Sequence, residues 1–294
     1  SALLLFYLTG FGSTDEFLLL GESDERYHVR GGNDQLIAGL VERLDAAQLH
    51  GQHRLVALSQ AAGDGPYQLT FAPADGRGAS VEREADFVVL ALPFITLREV
   101  DLSALELPEL KRKLIRELAY GTNAKLMMGT TARPWRTEHQ ATGSCVTDYG
   151  GGSLQTIWDT SVGQSDDRGP GLLTNFVGGQ LGIRLGEGNA TEQAQRVMPM
   201  IEGIFGGTAA TYTGTAVRMH WPSAPFNRGS YACFQPGFVS LAEEVGTAVG
   251  RLHFAGEHCS DENQGYMEGA AETGAAVAQA ILVEIGAMAG RSAD

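Results

Sequence analysis

The stretch 251–282, RLHFAGEHCSDENQGYMEGAAETGAAVAQAIL, constrains the fold of this chain more than any other. Its first apolar residues, 252–255, predict a short buried strand that ends at a glycine and an acid, Gly256 and Glu257. A polar loop follows, and then Gly265 precedes a run of good helix formers in which small or apolar residues recur at helical spacing. The stretch therefore predicts a strand, a glycine-acid turn, a loop and a helix, and an α/β fold class with mixed helices and sheets.

This local plan has a chemical use. A helix N-terminus offers unpaired backbone N–H groups and about half a positive charge. Gly265 and Gly269 lack a Cβ and would let an electron-rich group approach closely, and the carboxylate of Glu257 suits hydroxyls because it only accepts hydrogen bonds. A cofactor with hydroxyls and developing negative charge would fit. The residues leave open the alternative of a small-residue helix packed on a sheet with no ligand.

The sequence FAGEHCSDENQGYMEGAAETG resembles the C-terminal flavin-binding motif of the flavin-containing amine oxidase family, which includes monoamine, polyamine and L-amino acid oxidases. The resemblance implies an FAD-binding two-domain fold of the amine oxidase type. It also implies that Gly256 and Glu257 contact the phosphate–ribityl region of FAD. Gly265, Tyr266 and Met267 are expected at the N1–C2=O edge of the flavin, with the backbone N–H of Met267 offered to the ring.

Bulk properties narrow the classes of function. A chain of 294 residues can bury a large core and form one or two domains. The net charge of −14 argues against binding nucleic acid as a main role. The three cysteines give no disulfide framework, and His220, His253, His258 and Cys259 match no common zinc spacing, so no metal is predicted. No segment reaches the ~18–20 apolar residues of a membrane span, and the compartment is left open.

The resemblance predicts where the domains begin and end. Residues 1–26 are expected to be a helical remnant of the substrate-binding domain, because SALLLFYLTG predicts part of a buried helix. Residues 27–93 are expected to form the first part of the FAD-binding domain, 94–225 the substrate-binding domain and 226–294 the second part of the FAD-binding domain.

The first FAD-binding part has several local signals. Residues 28–33 predict a strand that runs into a glycine turn, and Asp34 can cap a helix through about residue 49. The residues of that helix expected to face a core are Leu36, Ile37, Leu40 and Leu44. Alternation predicts paired strands at 54–59 and 67–71. The resemblance places the adenine of FAD near the backbone of Leu55.

A continuous apolar run predicts one more strand of this part. Residues 87–92, FVVLAL, are continuously apolar, which predicts a strand covered on both faces. The other predicted elements are helices at 107–120 and 191–205 and strands at 123–131, 153–158, 172–177 and 216–221. For this middle region the resemblance implies a sheet with helices packed on one face.

Lys125 lies in GTNAKLMMG, among apolar residues on a predicted strand. Taken alone, such a lysine is better explained by a side chain that points to solvent. The family has a lysine in a similar sequence that is linked through water to flavin N5. The resemblance therefore implies that Lys125 positions water and assists reoxidation by oxygen, without acting as a simple general base.

Four further residues are assigned through the resemblance. Tyr231 and Tyr266 match the two aromatic residues that flank the substrate nitrogen, and Trp221 matches a tryptophan near the flavin. Facing rings exclude water and tolerate a cation; two ordinary core tyrosines are the alternative. Ser230 stands where monoamine oxidases carry a cysteine joined covalently to FAD. Because serine cannot form that thioether, FAD binding is expected to be noncovalent.

The N-terminal βαβ unit of the family, with its GxGxxG turn, has no counterpart in this sequence in a strand-to-helix context. That unit binds the AMP half of FAD, so a second polypeptide that carries it is the expected partner. The segment could equally have been cleaved or left out.

The predicted function is an FAD-dependent oxidase that deaminates a primary or secondary amine or an L-amino acid. A hydride equivalent leaves the carbon next to nitrogen for flavin N5, the imine hydrolyses, and O2 is reduced to H2O2. An L-amino acid oxidase specifically is one alternative. The others are a flavoprotein that oxidises carbon–carbon bonds, such as a desaturase, and a non-catalytic assembly subunit.

Overall fold

The computed structural model describes residues 27–61, 65–147, 152–164 and 168–291, together with the backbone of Gly10–Phe11 and Phe17–Leu18. The chain divides into two compact units. The first unit comprises Ser1–Ala119 and Tyr231–Asp294, and the second comprises Tyr120–Ser230. The helix predicted for the first ten residues lies, except for Gly10, outside the described residues. The assignment of the domains to FAD and substrate stays a prediction.

The described helices and strands have the following bounds. The helices are α1 (Asp34–Val41), α2 (Phe94–Leu97), α3 (Glu109–Glu117), α4 (Pro134–Thr137), α5 (Gly179–Leu185), α6 (Ala190–Ile204), α7 (Thr208–Thr211), α8 (Ala242–Val245) and α9 (Met267–Arg291). The strands are β1 (Gly10–Phe11), β2 (Phe17–Leu18), β3 (His53–Gln60), β4 (Tyr67–Pro73), β5 (Val81–Ala85), β6 (Val88–Leu90), β7 (Ala119–Tyr120), β8 (Ala124–Thr130), β9 (Cys145–Val146), β10 (Thr156–Asp159), β11 (Gly171–Val177), β12 (Tyr212–His220), β13 (Ala232–Cys233) and β14 (Leu252–Phe254). Short 3-10 helices occupy Ala46–Gln48, Trp221–Ser223, Val239–Leu241 and Glu257–Cys259.

The second unit is built on an antiparallel sheet with the strand order β12-β8-β11-β10-β9. One of its inner strands, β8, alternates between buried and half-buried residues, as a strand with one well-covered face should. Leu126 and Met128 on the buried side join one core with Val197 and Ile201 of α6. Asn189 begins α6 with a reciprocal capping box to Glu192. This core fixes the strand that carries Lys125.

The first unit positions the glycine-acid turn at the end of a parallel strand pair. Strand β14 pairs in parallel with β6, with Leu252 opposite Val88 and Phe254 opposite Leu90. All three residues of β14 are buried. A separate antiparallel sheet has the order β3-β4-β5. The strand-turn-helix prediction for 251–282 is thus confirmed in its elements.

The prediction for residues 28–49 was wrong in two respects. No strand forms within the described residues 27–33, because Gly31 and Gly32 have φ values of +89° and +113° and turn the chain there. The helix is α1, which ends at Val41, and Asn33 rather than Asp34 is its N-cap residue. Asp45 has an extended backbone and caps the following 3-10 helix through the N–H of Ala47. A continuous helix cannot pass through that conformation.

The apolar face predicted for this helix does not meet a core. Helix α1 has no buried residue, and Ile37 is 63% exposed. The other three residues predicted to face a core are also exposed: Leu36, Leu40 and Leu44. Periodicity shows which residues share a helix face, but it does not show whether anything covers that face.

The apolar run 87–92 was likewise predicted to be covered on both faces. The strand is shorter, Val88–Leu90, and Val89 is 43% exposed between two buried neighbours. One face of β6 is therefore open.

Helix α9 is the longest helix and is largely uncovered. Among the described residues, its segment Met267–Met288 is long and apolar enough to cross a membrane by length and composition alone, and none of the tested window is buried. The same apolar residues would equally suit packing against protein. The expectation that the chain has no membrane span stays a prediction.

Candidate active site

The glycine-acid turn joins β14 to α9. Gly256 has a φ of +136°, and a Cβ built there would lie 2.7 Å from a ring carbon of His258. Its backbone N–H donates to the Thr273 hydroxyl oxygen at 3.0 Å, and that hydroxyl donates to the Gly269 carbonyl oxygen at 2.8 Å. The turn therefore requires glycine, and Thr273 fixes it to α9. The sequence had not pointed to Thr273.

Glu257 ties two separate segments of the first unit together. One carboxylate oxygen accepts the backbone N–H of Ala232 at 2.8 Å, and the other accepts the N–H of Gly265 at 2.9 Å. Burial raises the pKa of this carboxyl, and the two backbone bonds oppose that rise. Each carboxylate oxygen has a further lone pair, so the predicted contact with hydroxyls of FAD remains chemically available and stays a prediction.

The same tie brings the two predicted aromatic residues to one place. Tyr231 precedes Ala232, and Tyr266 follows Gly265. A Cβ built on Gly265 would lie 3.7 Å from Cγ of Tyr231, so the Tyr231 ring begins directly against this glycine. The side-chain N–H of Gln264 also donates to the Ala232 carbonyl oxygen at 2.8 Å. Both tyrosines are half-buried.

The start of α9 presents a polar, positive end. The first N–H groups of a helix have no acceptor inside it, and Met267 and Glu268 at this end are exposed. Gly265 has a φ of +86°, a conformation that favours glycine. At Gly269 the expectation of ligand approach needs correction. A Cβ there would lie 2.3 Å from the Asn263 carbonyl oxygen, so the chain's own loop uses this space.

A buried lysine lies behind the turn. Lys111 of α3 donates to the carbonyl oxygens of Glu244 and Val245, each at 2.7 Å. Its ammonium lies 4.3 Å from the ring centroid of Phe254 on β14. Burial lowers the pKa of Lys111 to about 8. Because its acceptors are 133 and 134 residues away in sequence, no local pattern could have indicated this contact.

His258 and Cys259 belong to the same buried region. The His258 ring lies edge-on to Phe94, with 4.8 Å between the ring centroids. Burial, with a smaller effect from the charge of Lys111, lowers the pKa of His258 to about 4. Burial raises the pKa of the Cys259 thiol to about 12. At neutral pH the imidazole is uncharged and the thiol protonated. Among the described residues, no group of three His, Cys, Asp or Glu side chains could hold a metal ion.

Lys125 lies on the half-buried side of β8 in the second unit. It stands opposite Phe176 of β11 and Met219 of β12. Its ammonium lies 5.6 Å from the ring centroid of Trp158 and 5.7 Å from that of Phe176. The lysine thus lies over two aromatic rings, which stabilise its charge, rather than extending alone into solvent.

Ser230 and Trp221 lie in the second unit. The Ser230 hydroxyl donates to the Asn123 side-chain carbonyl oxygen at 2.7 Å, and its backbone N–H donates to the Gly121 carbonyl oxygen at 2.8 Å. Trp221 begins a 3-10 helix and is half-buried. The roles assigned to both residues stay predictions.

Leu55 lies on β3 in the first unit, half-buried and opposite Phe71. The pairing of β3 with β4 shifts register between Leu55 and Ala57. The proximity of this backbone to adenine remains a prediction.

The fold and the turn define a flavoprotein of the amine oxidase type. The chain belongs to the flavin-containing amine oxidoreductase family, whose sequence model matches residues 3–282. This membership confirms the resemblance, the fold class and FAD as the cofactor of the family. The roles of Tyr231, Tyr266 and Lys125 stay predictions.

Three comparisons illustrate the relationship. The chain is 27% identical over 290 residues to an L-amino acid dehydrogenase of Synechocystis sp., covering 95% of this chain and 55% of that protein. It is 25% identical over 255 residues to the putative L-amino-acid oxidase YobN of Bacillus subtilis, covering 86% and 52%. Its fold matches cyclohexylamine oxidase from Brevibacterium oxydans with a TM-score of 0.72 at 18% identity, covering 92% and 55%. The chain spans about half the length of these proteins.

The residues present fit part of a flavin. The N-terminal end of α9, where Met267 and Glu268 are exposed, suits the electron-rich N1–C2=O edge. Gly265, Tyr266 and Met267 would hold this edge, and Gly256 and Glu257 would face the phosphate–ribityl portion. No GxGxxG turn is present in the sequence for the AMP half, so the fit concerns the ring and ribityl portion.

Proposed function

We propose that this chain is the larger part of an FAD-dependent oxidase that deaminates a primary or secondary amine or an L-amino acid through an imine, with O2 reduced to H2O2. The Glu257 tie carries this proposal. A single carboxylate holds the segment after Tyr231 and the residue before Tyr266, and both rings lie beside the helix end that suits a flavin.

Bound FAD would accept two electrons and a hydrogen from the carbon next to nitrogen. Tyr231 and Tyr266 would flank the substrate nitrogen and exclude water from it. Lys125 would hold a water by its ammonium group, and the rings of Trp158 and Phe176 would keep that group in place. Trp221 would take the role of the tryptophan that lies near the flavin in the family.

Noncovalent cofactor binding is part of the proposal. A serine hydroxyl cannot form the thioether that a cysteine forms, and the Ser230 hydroxyl already donates to Asn123. We expect denaturation to release FAD intact into the supernatant.

We also propose that a second polypeptide carrying a GxGxxG unit completes the FAD site. Two uncovered apolar faces support this: α1, which has no buried residue, and α9, whose Leu282 is 63% exposed. A two-stranded parallel pair such as β6 and β14 is also rarely left without further strands. Exposed apolar helix faces of this kind are typical of an interface. This occupant, rather than a membrane, would cover α9.

A second candidate is an L-amino acid dehydrogenase, which passes electrons to an acceptor other than O2. It is favoured by the similarity to the Synechocystis protein across 95% of this chain. An oxidase and a dehydrogenase can share the same amine-oxidising site and differ in their reaction with oxygen.

Peroxide formation with paired substrates tests the proposal. FAD-loaded protein would be given primary amines and the matching L-amino acids, in air and with an artificial electron acceptor. Peroxide from either class supports an oxidase, whereas turnover with the acceptor alone supports the dehydrogenase. No flavin reduction by any amine or amino acid would refute both.

Lys125→Met tests the role of the lysine separately. We expect flavin reoxidation by O2 to slow by roughly tenfold or more, as for loss of a positioned group, with reduction by substrate little changed. Lys113→Met, on helix α3 of the first unit, is the matched control. Unchanged oxygen reactivity in Lys125→Met would remove this residue from the reaction.

A further inference from the structure

We infer that Glu272 is a positioning residue that sets the start of α9, and with it Tyr266, by holding the loop 260–263. Glu272 lies in the second turn of α9 and would touch neither substrate nor flavin. Its role in catalysis rests on the proposed function, because the helix end matters to the reaction only if a flavin lies there.

Both oxygens of the Glu272 carboxylate accept hydrogen bonds from the loop 260–263. One accepts the Ser260 hydroxyl, and the other accepts the Asn263 side-chain N–H at 2.8 Å. The Ser260 hydroxyl oxygen also accepts the backbone N–H of Asn263 at 2.8 Å. These three side chains therefore form a closed network, and Ser260 within it is buried.

The network acts on Tyr266 through one carbonyl group. The Asn263 carbonyl oxygen accepts the backbone N–H of Tyr266 at 3.1 Å. The same oxygen lies against Gly269, where any Cβ would approach it to 2.3 Å. The loop is thus pressed onto the first turn of α9, and a shift of Asn263 would move Tyr266.

Two carboxylates therefore fix Tyr266 from opposite directions. Glu257 accepts the backbone N–H of Gly265, the residue before Tyr266. Glu272 accepts the side-chain N–H of Asn263, whose carbonyl oxygen accepts the backbone N–H of Tyr266. A carboxylate suits both positions because it accepts hydrogen bonds at each oxygen and donates none. Glutamine at 272 would place an N–H against one of the two donors.

The first experiment measures amide hydrogen exchange at Tyr266 in the full chain without added flavin. Glu272→Gln should speed exchange roughly tenfold, as expected for loss of one hydrogen bond to a charged group. Ser260→Ala should act in the same direction. Glu284→Gln, at another half-buried acid on the same helix, should leave exchange at Tyr266 unchanged.

A double variant makes the test specific. In Glu272→Gln/Asn263→Asp the donor and acceptor are exchanged, so the contact between the two positions can re-form. Exchange at Tyr266 should return to within about threefold of the wild type. A merely structural role predicts that the amide exchange rate at Tyr266 follows the melting temperature of each variant. It also predicts that the double variant does not restore the wild-type rate.

The second experiment measures FAD affinity and the shape of the flavin spectrum. Glu272→Gln should weaken FAD binding roughly tenfold, and the double variant should restore it, whereas Glu284→Gln should match the wild type. Equal exchange at Tyr266 in Glu272→Gln and the wild type would overturn the inference. If the wild-type protein binds no FAD even with the proposed partner chain, the proposed function fails, and the exchange experiment still decides the role of Glu272 in positioning Tyr266.

Discussion

The two units of this chain differ in how completely they bury their apolar residues. In the second unit one face of the five-stranded sheet is closed by α6, and Leu126 and Val197 are fully buried. In the first unit the turn region is tightly bonded, yet α1 and α9 carry apolar residues that stay exposed. The first unit has a buried core as well, with Phe94 and Leu114 fully buried. The comparison therefore teaches that the units differ in their outer helices: α6 is packed into a core, whereas α1 and α9 leave apolar residues exposed.

The largest expected effect comes from opening the core of the second unit. Leu126→Ala should lower the free energy of unfolding by about 4 kcal/mol, because a fully buried leucine leaves a cavity. All three tryptophans, Trp135, Trp158 and Trp221, lie in this unit, so denaturation followed by tryptophan fluorescence reports on it directly.

The matched change in the first unit is Leu282→Ala. It should change the stability of the isolated chain by about 0.5 kcal/mol or less, since this leucine is 63% exposed. A cost for Leu282→Ala equal to that for Leu126→Ala would show that α9 is covered in the chain itself, and the contrast between the units would fail.

The next effect is a loss of stability in acid caused by His258. Burial lowers its folded-state pKa from 6.5 to about 4, so between these values the unfolded chain binds more protons than the folded one. Stability should therefore rise with pH across this window and fall by on the order of 3 kcal/mol as pH drops from 6.5 to 4.

His258→Phe keeps a ring in this position and removes its titration. Its unfolding free energy should be flatter between pH 6.5 and 4 than that of the wild type, with His139→Phe, at an exposed ring, as the control. An equal slope in wild type and His258→Phe would assign the acid sensitivity to other groups.

A smaller effect than that of His258 is expected at Glu257. In Glu257→Gln the side-chain N–H would meet one of the two backbone N–H donors, from Ala232 or Gly265. We expect a loss of about 2 kcal/mol, because a buried donor is left without an acceptor. Thermal denaturation followed by circular dichroism would measure it, with the exposed Glu268→Gln as control. A loss no larger than that of the control would mean that the tie contributes little.

Local sequence signals predicted the site better than its surroundings. The strand, glycine-acid turn, loop and helix of 251–282 were predictable because glycine, acid and helix formers act over a few residues. The bonds of Lys111 to Glu244 and Val245 were not, because the partners are distant in sequence. The Ser260–Glu272 contact spans 12 residues and depends on the loop folding back over Gly269.

The error at α1 has a different physical origin. The spacing of Leu36, Ile37 and Leu40 correctly marks an apolar helix face, but periodicity carries no information about what covers it. The helix also does not continue to about residue 49 as predicted. Asp45 caps the following 3-10 helix instead, and this capping competes with continuation of the α-helix.

The most direct test of the central claim, that the 256–267 turn region is one side of a noncovalent FAD site, is a visible absorption spectrum of the purified native protein, with a denaturing gel of the same sample. The account predicts flavin bands, a second band on the gel, and release of the flavin into the supernatant on denaturation. A colourless protein that remains colourless after incubation with FAD and the proposed partner chain would contradict it.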